Sequence, residues 1–178
     1  AEMIKPPSLN LAVIGNSHVA ALVDKHASIV WGGWPNIGGD AIFNALVNGE
    51  APSSGFFSID FESGTMASSQ SYIRNTAIVR TVLTDAAGAS FAVTDFAPRF
   101  RQFGRTFHPS MIVRHIEPLS GLCRIRVSIR PRMQNGSEVP RAVPGSNHIR
   151  YISEGMSLRL TTDAPVSYVL SESAFVLT

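Results

Sequence analysis

Three kinds of chemistry can be sought among the side chains of this sequence: a nucleophile beside a base, a pair of carboxylates, and an aromatic platform. Gly15-Asn16-Ser17-His18-Val19 begins like a nucleophile elbow but lacks its second glycine. Its serine and histidine are adjacent only along the chain, whereas catalytic pairing needs reach in space, so the segment is read as a turn. Gly32-Gly33 and Gly38-Gly39 lack the Lys-Ser/Thr that a phosphate loop requires, and neither a Ser-x-x-Lys motif nor a dinucleotide fingerprint occurs. Glycoside hydrolysis needs two carboxyl groups at a defined separation. Asp60 with Glu62, on one face of a predicted strand, and Asp40 with Glu50 are such pairs, but thirteen acidic residues supply pairs by chance. Asp95 ends a strand and is expected to cap a turn or to pair with an arginine.

Metal and thiol chemistry find less support. The five histidines, His18, His26, His108, His115 and His148, show neither i, i+4 spacing on a helix nor a neighbouring cysteine. No metal and no cofactor are expected. Cys123 is the single cysteine, so an internal disulfide is excluded, and its strand-like surroundings predict a buried thiol. The arginines of Arg124–Arg130 lack interleaved aromatics and backing lysines, so this face is expected to meet solvent or another domain rather than nucleic acid.

The aromatic platform has one candidate. Both tryptophans lie in Val30–Val47, VWGGWPNIGGDAIFNALV. Trp31 ends an apolar run and is expected to be buried. Trp34, between Gly33 and Pro35, is more exposed to choice, because tryptophan stacks on a sugar ring as readily as it fills a core. Trp34, Asn36 and Asp40 are therefore the candidate sugar-binding or domain-contact loop.

The elements that must position these residues are mostly strands. The chain has 178 residues, 44% hydrophobic and 16% charged, which suits one globular domain able to bury roughly 70% of its unfolded surface. A formal charge of +2 gives no argument for nucleic acid, and no run of about 18 apolar residues points to a membrane. No signal peptide is read at the start, and a cytoplasmic location is expected. Residues 1–8 are expected to be a disordered or cloning-derived segment, because Ala-Glu precedes Met3, and 9–178 a single domain.

Apolar residues alternate with period two in short runs broken by Gly, Pro, Asn and Asp. Arg124–Arg130 alternates strictly, with Ile125, Val127 and Ile129 on one face. Ser157–Thr161 does the same. Ile78–Leu83 and Ser90–Phe96 flank Thr84-Asp85-Ala86-Ala87-Gly88, a hairpin turn. Further strands are predicted at 9–14, 19–23, 28–31, 56–61, 70–74, 111–117, 149–153, 166–170 and 174–177. One short helix is predicted between Asp40 as N-cap and Asn48-Gly49 as stop. Pro131–Ser146 is the longest predicted loop. The whole predicts an all-β fold, an antiparallel sandwich with one short helix.

The order of motifs carries a resemblance. Ile14-Gly15-Asn16, Ala20–Val23, Ser28–Trp31, Pro35 and Phe43 with Ala45-Leu46 are followed by Tyr72, Val93-Thr94-Asp95-Phe96-Ala97-Pro98, Ile112-Val113-Arg114, Leu119-Ser120-Gly121 and Arg130-Pro131-Arg132. From about Leu9 to the end, this set resembles the trehalase-like N-terminal domain of glycoside hydrolase family 15, the bacterial and archaeal glucoamylase and trehalase-like proteins. The resemblance implies a β-sandwich of the super-sandwich type. It also implies that the family's two catalytic glutamates belong to a separate C-terminal α/α barrel, with nothing here that matches them. The implied partner is that barrel, the implied parent activity is hydrolysis of α-glucosides, and no catalytic residue is assigned to this chain. Relatives often read Pro-Arg-Phe-Asp-Ser-Pro where this sequence has Pro35-Asn36-Ile37-Gly38-Gly39-Asp40, so the charged Arg and Asp of that loop are replaced. The rival readings are a freestanding carbohydrate-binding module using Trp34, an enzyme using a carboxylate pair, and, last, nucleic-acid binding through the arginine face. Oligosaccharide is the expected small partner, and a bare sheet edge invites a second copy of the chain.

Overall fold

The computed structural model describes residues 8–49 and 52–178. Residues 1–7, most of the segment expected to be disordered or cloning-derived, lie outside the described residues, as does Glu50. Where residues alternate in polarity, the chain forms strands. In order these are β1 (Leu11–Gly15), β2 (Ala20–Asp24), β3 (Ile29–Trp34), β4 (Asp40–Phe43), β5 (Phe56–Phe61), β6 (Ala67–Tyr72), β7 (Val79–Thr84) and β8 (Ser90–Phe96). There follow β9 (Phe100–Gln102), β10 (Arg105–Phe107), β11 (Val113–Ser120), β12 (Arg124–Arg130), β13 (Arg141–Pro144), β14 (His148–Ser153), β15 (Met156–Thr161), helix α1 (Val166–Ser171) and β16 (Phe175–Val176).

Two antiparallel sheets make the sandwich. A seven-stranded sheet runs β1-β2-β3-β5-β12-β16, with β4 attached to β3. A four-stranded sheet runs β11-β8-β7-β6. A third sheet, β13-β14-β15, and a separate hairpin, β9-β10, complete the described strands. All named pairings are antiparallel, as the short turns require. The inward side chains of the two large sheets form the core: Ile14, Val23, Ile29, Ile59 and Ile125 from one, Val79, Leu83, Phe91 and Val93 from the other. Phe61 and Phe91 meet edge to face across the layers, with centroids 4.7 Å apart. Ile149, Tyr151 and Leu158 join the third sheet to the same core.

Polar braces tie the layers together. Arg114 of β11 pairs with Asp95, directly opposite on β8, at 2.7 Å. Its guanidinium also donates to the Phe57 carbonyl (2.7 Å) and the Ala27 carbonyl, both on the side of the larger sheet, and lies 4.6 Å from the Phe57 ring centroid. Asn16, in the β1–β2 turn, donates to the carbonyls of Pro98 (2.9 Å) and Pro109 (2.8 Å) and accepts from the amides of His18 and Val19 (both 3.0 Å). The Tyr72 hydroxyl accepts from the Val13 amide (2.7 Å) and donates to its carbonyl (3.0 Å), which clips β6 to β1.

The predicted short helix is cut to its second half and keeps its predicted stop at Asn48. Asp40–Phe43 is strand β4, and only Ala45–Val47 turns, as one 3-10 turn. The Asp40 carboxylate accepts from the Asn135 amide (2.8 Å) instead of capping a helix. The amides of Asn44 and Ala45 both donate to the Gly55 carbonyl (2.9 Å), which diverts them from a helical ladder. The predicted strand at 166–170 is the α-helix instead. Pro165, with φ −59°, starts it, and Val169 buries itself one turn after Val166. Hairpin β9-β10 lies outside the predicted strands, and β13 lies inside the predicted loop 131–146.

Candidate functional site

Most residues with chemical potential prove to be structural. Ser17 and His18 sit in the β1–β2 turn, with Ser17 at φ 75°, and their backbone is fixed by Asn16. The His18 ring lies 5.7 Å from that of His108, centroid to centroid. Among the described residues no three His, Cys, Asp or Glu side chains converge on a point where a metal ion could sit. The Asp60 carboxylate accepts from the Thr65 hydroxyl and from the Phe61 amide. Glu62 pairs with Arg124 at 2.6 Å, and that bond holds its carboxyl below the usual range. Asp60 and Glu62 are thus each engaged with neighbouring protein groups. Glu50, proposed partner of Asp40, lies outside the described residues.

Asp95 pairs with an arginine, as expected. Its exposure is 0% and that of Arg114 is 4%, so the pair is sealed inside the sandwich. Two arginines of the β12 face are likewise committed. Arg124 meets Glu62, and Arg130 forks onto both oxygens of Glu172 just past α1 (2.7 and 2.6 Å). Cys123 is buried and donates to the Ser90 carbonyl (3.2 Å). Burial, reinforced by Asp85, pushes its thiol pKa up, the opposite of what a nucleophile needs.

The tryptophan loop is different. Trp34 and Asp40 stand directly opposite each other in the β3–β4 ladder. Gly39 closes the turn, since a side chain there would collide with the Trp34 carbonyl. Trp34 is half-buried and packs on the core, while Trp31, expected to be buried, is also only half-buried. Trp34 borders two cavities. One, ≈ 380 Å³, is mainly apolar and runs beneath β3, β4, β12 and β15, past Ile29, Phe57 and Leu160. The other, ≈ 450 Å³, is more open and of mixed polarity, and brings Trp34 and Asp40 together with Gln134, Asn135, Glu154 and Met156. Asn36 does not join it. Its side chain is exposed and accepts from the Gly38 amide (3.0 Å), an Asx turn that shapes the loop.

Sequence reasoning placed Trp34 and Asp40 but missed Gln134, Asn135 and Glu154. The Asn135-Gly136 dipeptide is a turn signal within the predicted long loop. That this turn lies beside Trp34 is a product of the fold, and no local pattern carries it.

Hairpin β9-β10 is the second exposed feature. Residues 99–108 are all exposed. Phe100 and Phe107 stack across the ladder with centroids 5.5 Å apart, and Phe103 at the tip is 89% exposed. Arg99, Arg101 and Arg105 lie among them, and the segment contains no carboxylate. No helix among the described residues is long and apolar enough to cross a membrane.

Comparison with known proteins fits this geometry. The family described as "Trehalase-like, N-terminal" matches residues 5–171. A protein named trehalase from Thermoplasma volcanium is 24% identical over 155 residues, covering 86% of this chain and 24% of the relative. The chain thus spans about a quarter of the length of that curated relative. No solved structure matches. With a sandwich built on the polar residues of that motif set, and a match across nearly all of its length, the chain belongs to the trehalase-like N-terminal domain family.

Proposed function

We propose that this chain is the non-catalytic N-terminal β-sandwich of a glycoside hydrolase family 15 enzyme, of the glucoamylase or trehalase type, acting on α-glucosides. It packs against the catalytic α/α barrel and supports its fold. One observation carries the reading. Asn16, Tyr72, Asp95, Arg114, Arg130 and Arg132, polar residues of the motif set, are spent on internal hydrogen bonds and ion pairs. None of them lines either cavity. A pattern whose polar members brace the fold is the pattern of a scaffold. The projecting hairpin supports the docking half of the reading. Phenylalanine and arginine are enriched at protein interfaces, and a cation-bearing aromatic knob suits a carboxylate-rimmed apolar surface on the neighbouring domain. The lone buried thiol suits a reducing compartment, and we place the protein in the cytoplasm.

The reading frame beyond Thr178 tests this first. Continuation into a larger domain of helical hairpins supports the proposal, and a stop codon soon after overturns it. The isolated chain should release no glucose from trehalose or maltodextrin. In the full-length product, F100S/F103S/F107S should split one thermal transition into two, as the domains uncouple.

A further inference from the structure

From the geometry of the open cleft at Trp34 we infer a binding site for a neutral gluco-oligosaccharide. The walls come from three places in the chain. Trp34 and Asp40 belong to the β3–β4 hairpin, Gln134 and Asn135 to the turn after β12, and Glu154 and Met156 to the β14–β15 turn. Hydrogen bonds sew the three together. Asp40 accepts from the Asn135 amide (2.8 Å), and the Gln134 side chain donates to the Glu154 carbonyl (3.3 Å).

The middle wall is held in an unusual conformation. Gln134, Asn135 and Gly136 take successive positive φ values of 55°, 54° and 87°. Asn135-Gly136 suits the left-handed region, but Gln134 enters it at a cost, and such strain persists only where the surroundings impose it. The surroundings here are specific. Arg132 donates to the Gly136 carbonyl (2.9 Å), Met133 and Glu138 bridge across the turn, and any side chain at Gly136 would run into the Asn44 amide. The result is a preformed recess that presents amide groups beside an indole anchored on the core.

Charge selects the ligand. The lining contains two carboxylates, Asp40 and Glu154, and no Arg, Lys or His. A sugar phosphate, a nucleotide or a uronate would be repelled. A neutral polyol fits, because its ring C–H groups pack on tryptophan while its hydroxyls donate to carboxylates and exchange bonds with Gln134 and Asn135. A quaternary ammonium ligand would call for several aromatic rings around it, and this cleft has one. The inference goes beyond the accessory-domain reading and relies on that reading only for the choice of α-glucosides as ligand.

The test is a titration of this chain with maltoheptaose and trehalose, with glucose 6-phosphate alongside, read by amide and indole NMR shifts. In the Trp31→Phe variant, the remaining indole signal reports Trp34 alone. Saturable shifts at Trp34, Asn135 and Glu154 with a neutral sugar, and none with the phosphate, are the expected result. Binding should weaken at least about fivefold in Glu154→Gln, an exposed substitution that leaves the melting temperature unchanged, and also in Asp40→Asn. No shift up to ~10 mM of either sugar, above ordinary weak sugar affinities, overturns the inference. Shifts confined to other residues, or equal response to the phosphate, overturn it as well. A failure here leaves the accessory-domain reading standing, because that reading is decided by the downstream reading frame.

Discussion

At the scale of single residues, the strongest constraint is the buried pair Asp95–Arg114. Both charges have left water, so their value depends on the completeness of the network: two bonds to the carboxylate, two backbone carbonyls, and the Phe57 face. Arg114→Met strands Asp95 as a lone buried charge and should cost about 3–5 kcal/mol in urea denaturation. Replacing both partners with leucine should recover much of that loss, because the expensive state is the unpaired one. A double variant as unstable as the single would contradict this. Tyr151 gives a second prediction. Burial, with Glu172 nearby, pushes its phenol up to about 12. The unfolded phenol ionises near pH 10, so between about pH 10 and 12 the unfolded chain has lost a proton that the folded chain keeps. Stability therefore falls across that window as pH rises, by about 2–3 kcal/mol, and Tyr151→Phe should remove that part of the slope.

At the scale of elements, what could be read in the sequence follows from locality. β5, β8 and β12 carry alternation that their own residues determine, and the observed strands Phe56–Phe61, Ser90–Phe96 and Arg124–Arg130 coincide with the predicted ones. The predicted helix loses its first half to a contact that no local signal carries. Asp40 has the right chemistry for an N-cap, yet its carboxylate is taken by Asn135, ninety-five positions away. Conversely, Val166–Leu170 has strand-forming composition, but Pro165 fixes a helix start, and the Val166–Val169 spacing was the available clue. Half of the cleft was legible for the same reason: Trp34 and Asp40 share one hairpin, while Asn135 and Glu154 arrive by tertiary folding. The end of α1 is held by Arg130, which bonds to Glu172 and keeps that carboxyl below its usual range. This bond stabilises above the ordinary carboxylate pKa and is lost as pH falls through the lowered one. Glu172→Gln should therefore cost up to about 1 kcal/mol at neutral pH, with the difference from the parent chain vanishing in acid. A difference that persists in acid would point to lost packing instead of lost charge.

At the scale of the whole molecule, stability is distributed from the two large sheets outward. Their facing side chains are the buried ones, and the braces at Asn16, Tyr72 and Arg114 join the layers there. Hairpin β9-β10 has neither: all its residues are exposed, and its ladder pairs only with itself. An isolated two-stranded hairpin is marginal in water, so this segment should open without the rest. Hydrogen exchange by mass spectrometry offers the test. Amides of β5, β8 and β12 should exchange only through global unfolding, while those of 100–107 should exchange at nearly the unprotected rate. In the same chain, F100S/F103S/F107S should leave the melting temperature within about 2 °C, since Phe103 is 89% exposed and Phe100 and Phe107 stack on each other within a hairpin that pairs only with itself. Strong protection of the hairpin in the isolated chain would mean that its aromatics already have a covering surface, and the place to seek it would be a second copy of the chain. An unprotected hairpin that becomes protected in the full-length protein would instead locate the surface on which the sandwich is carried.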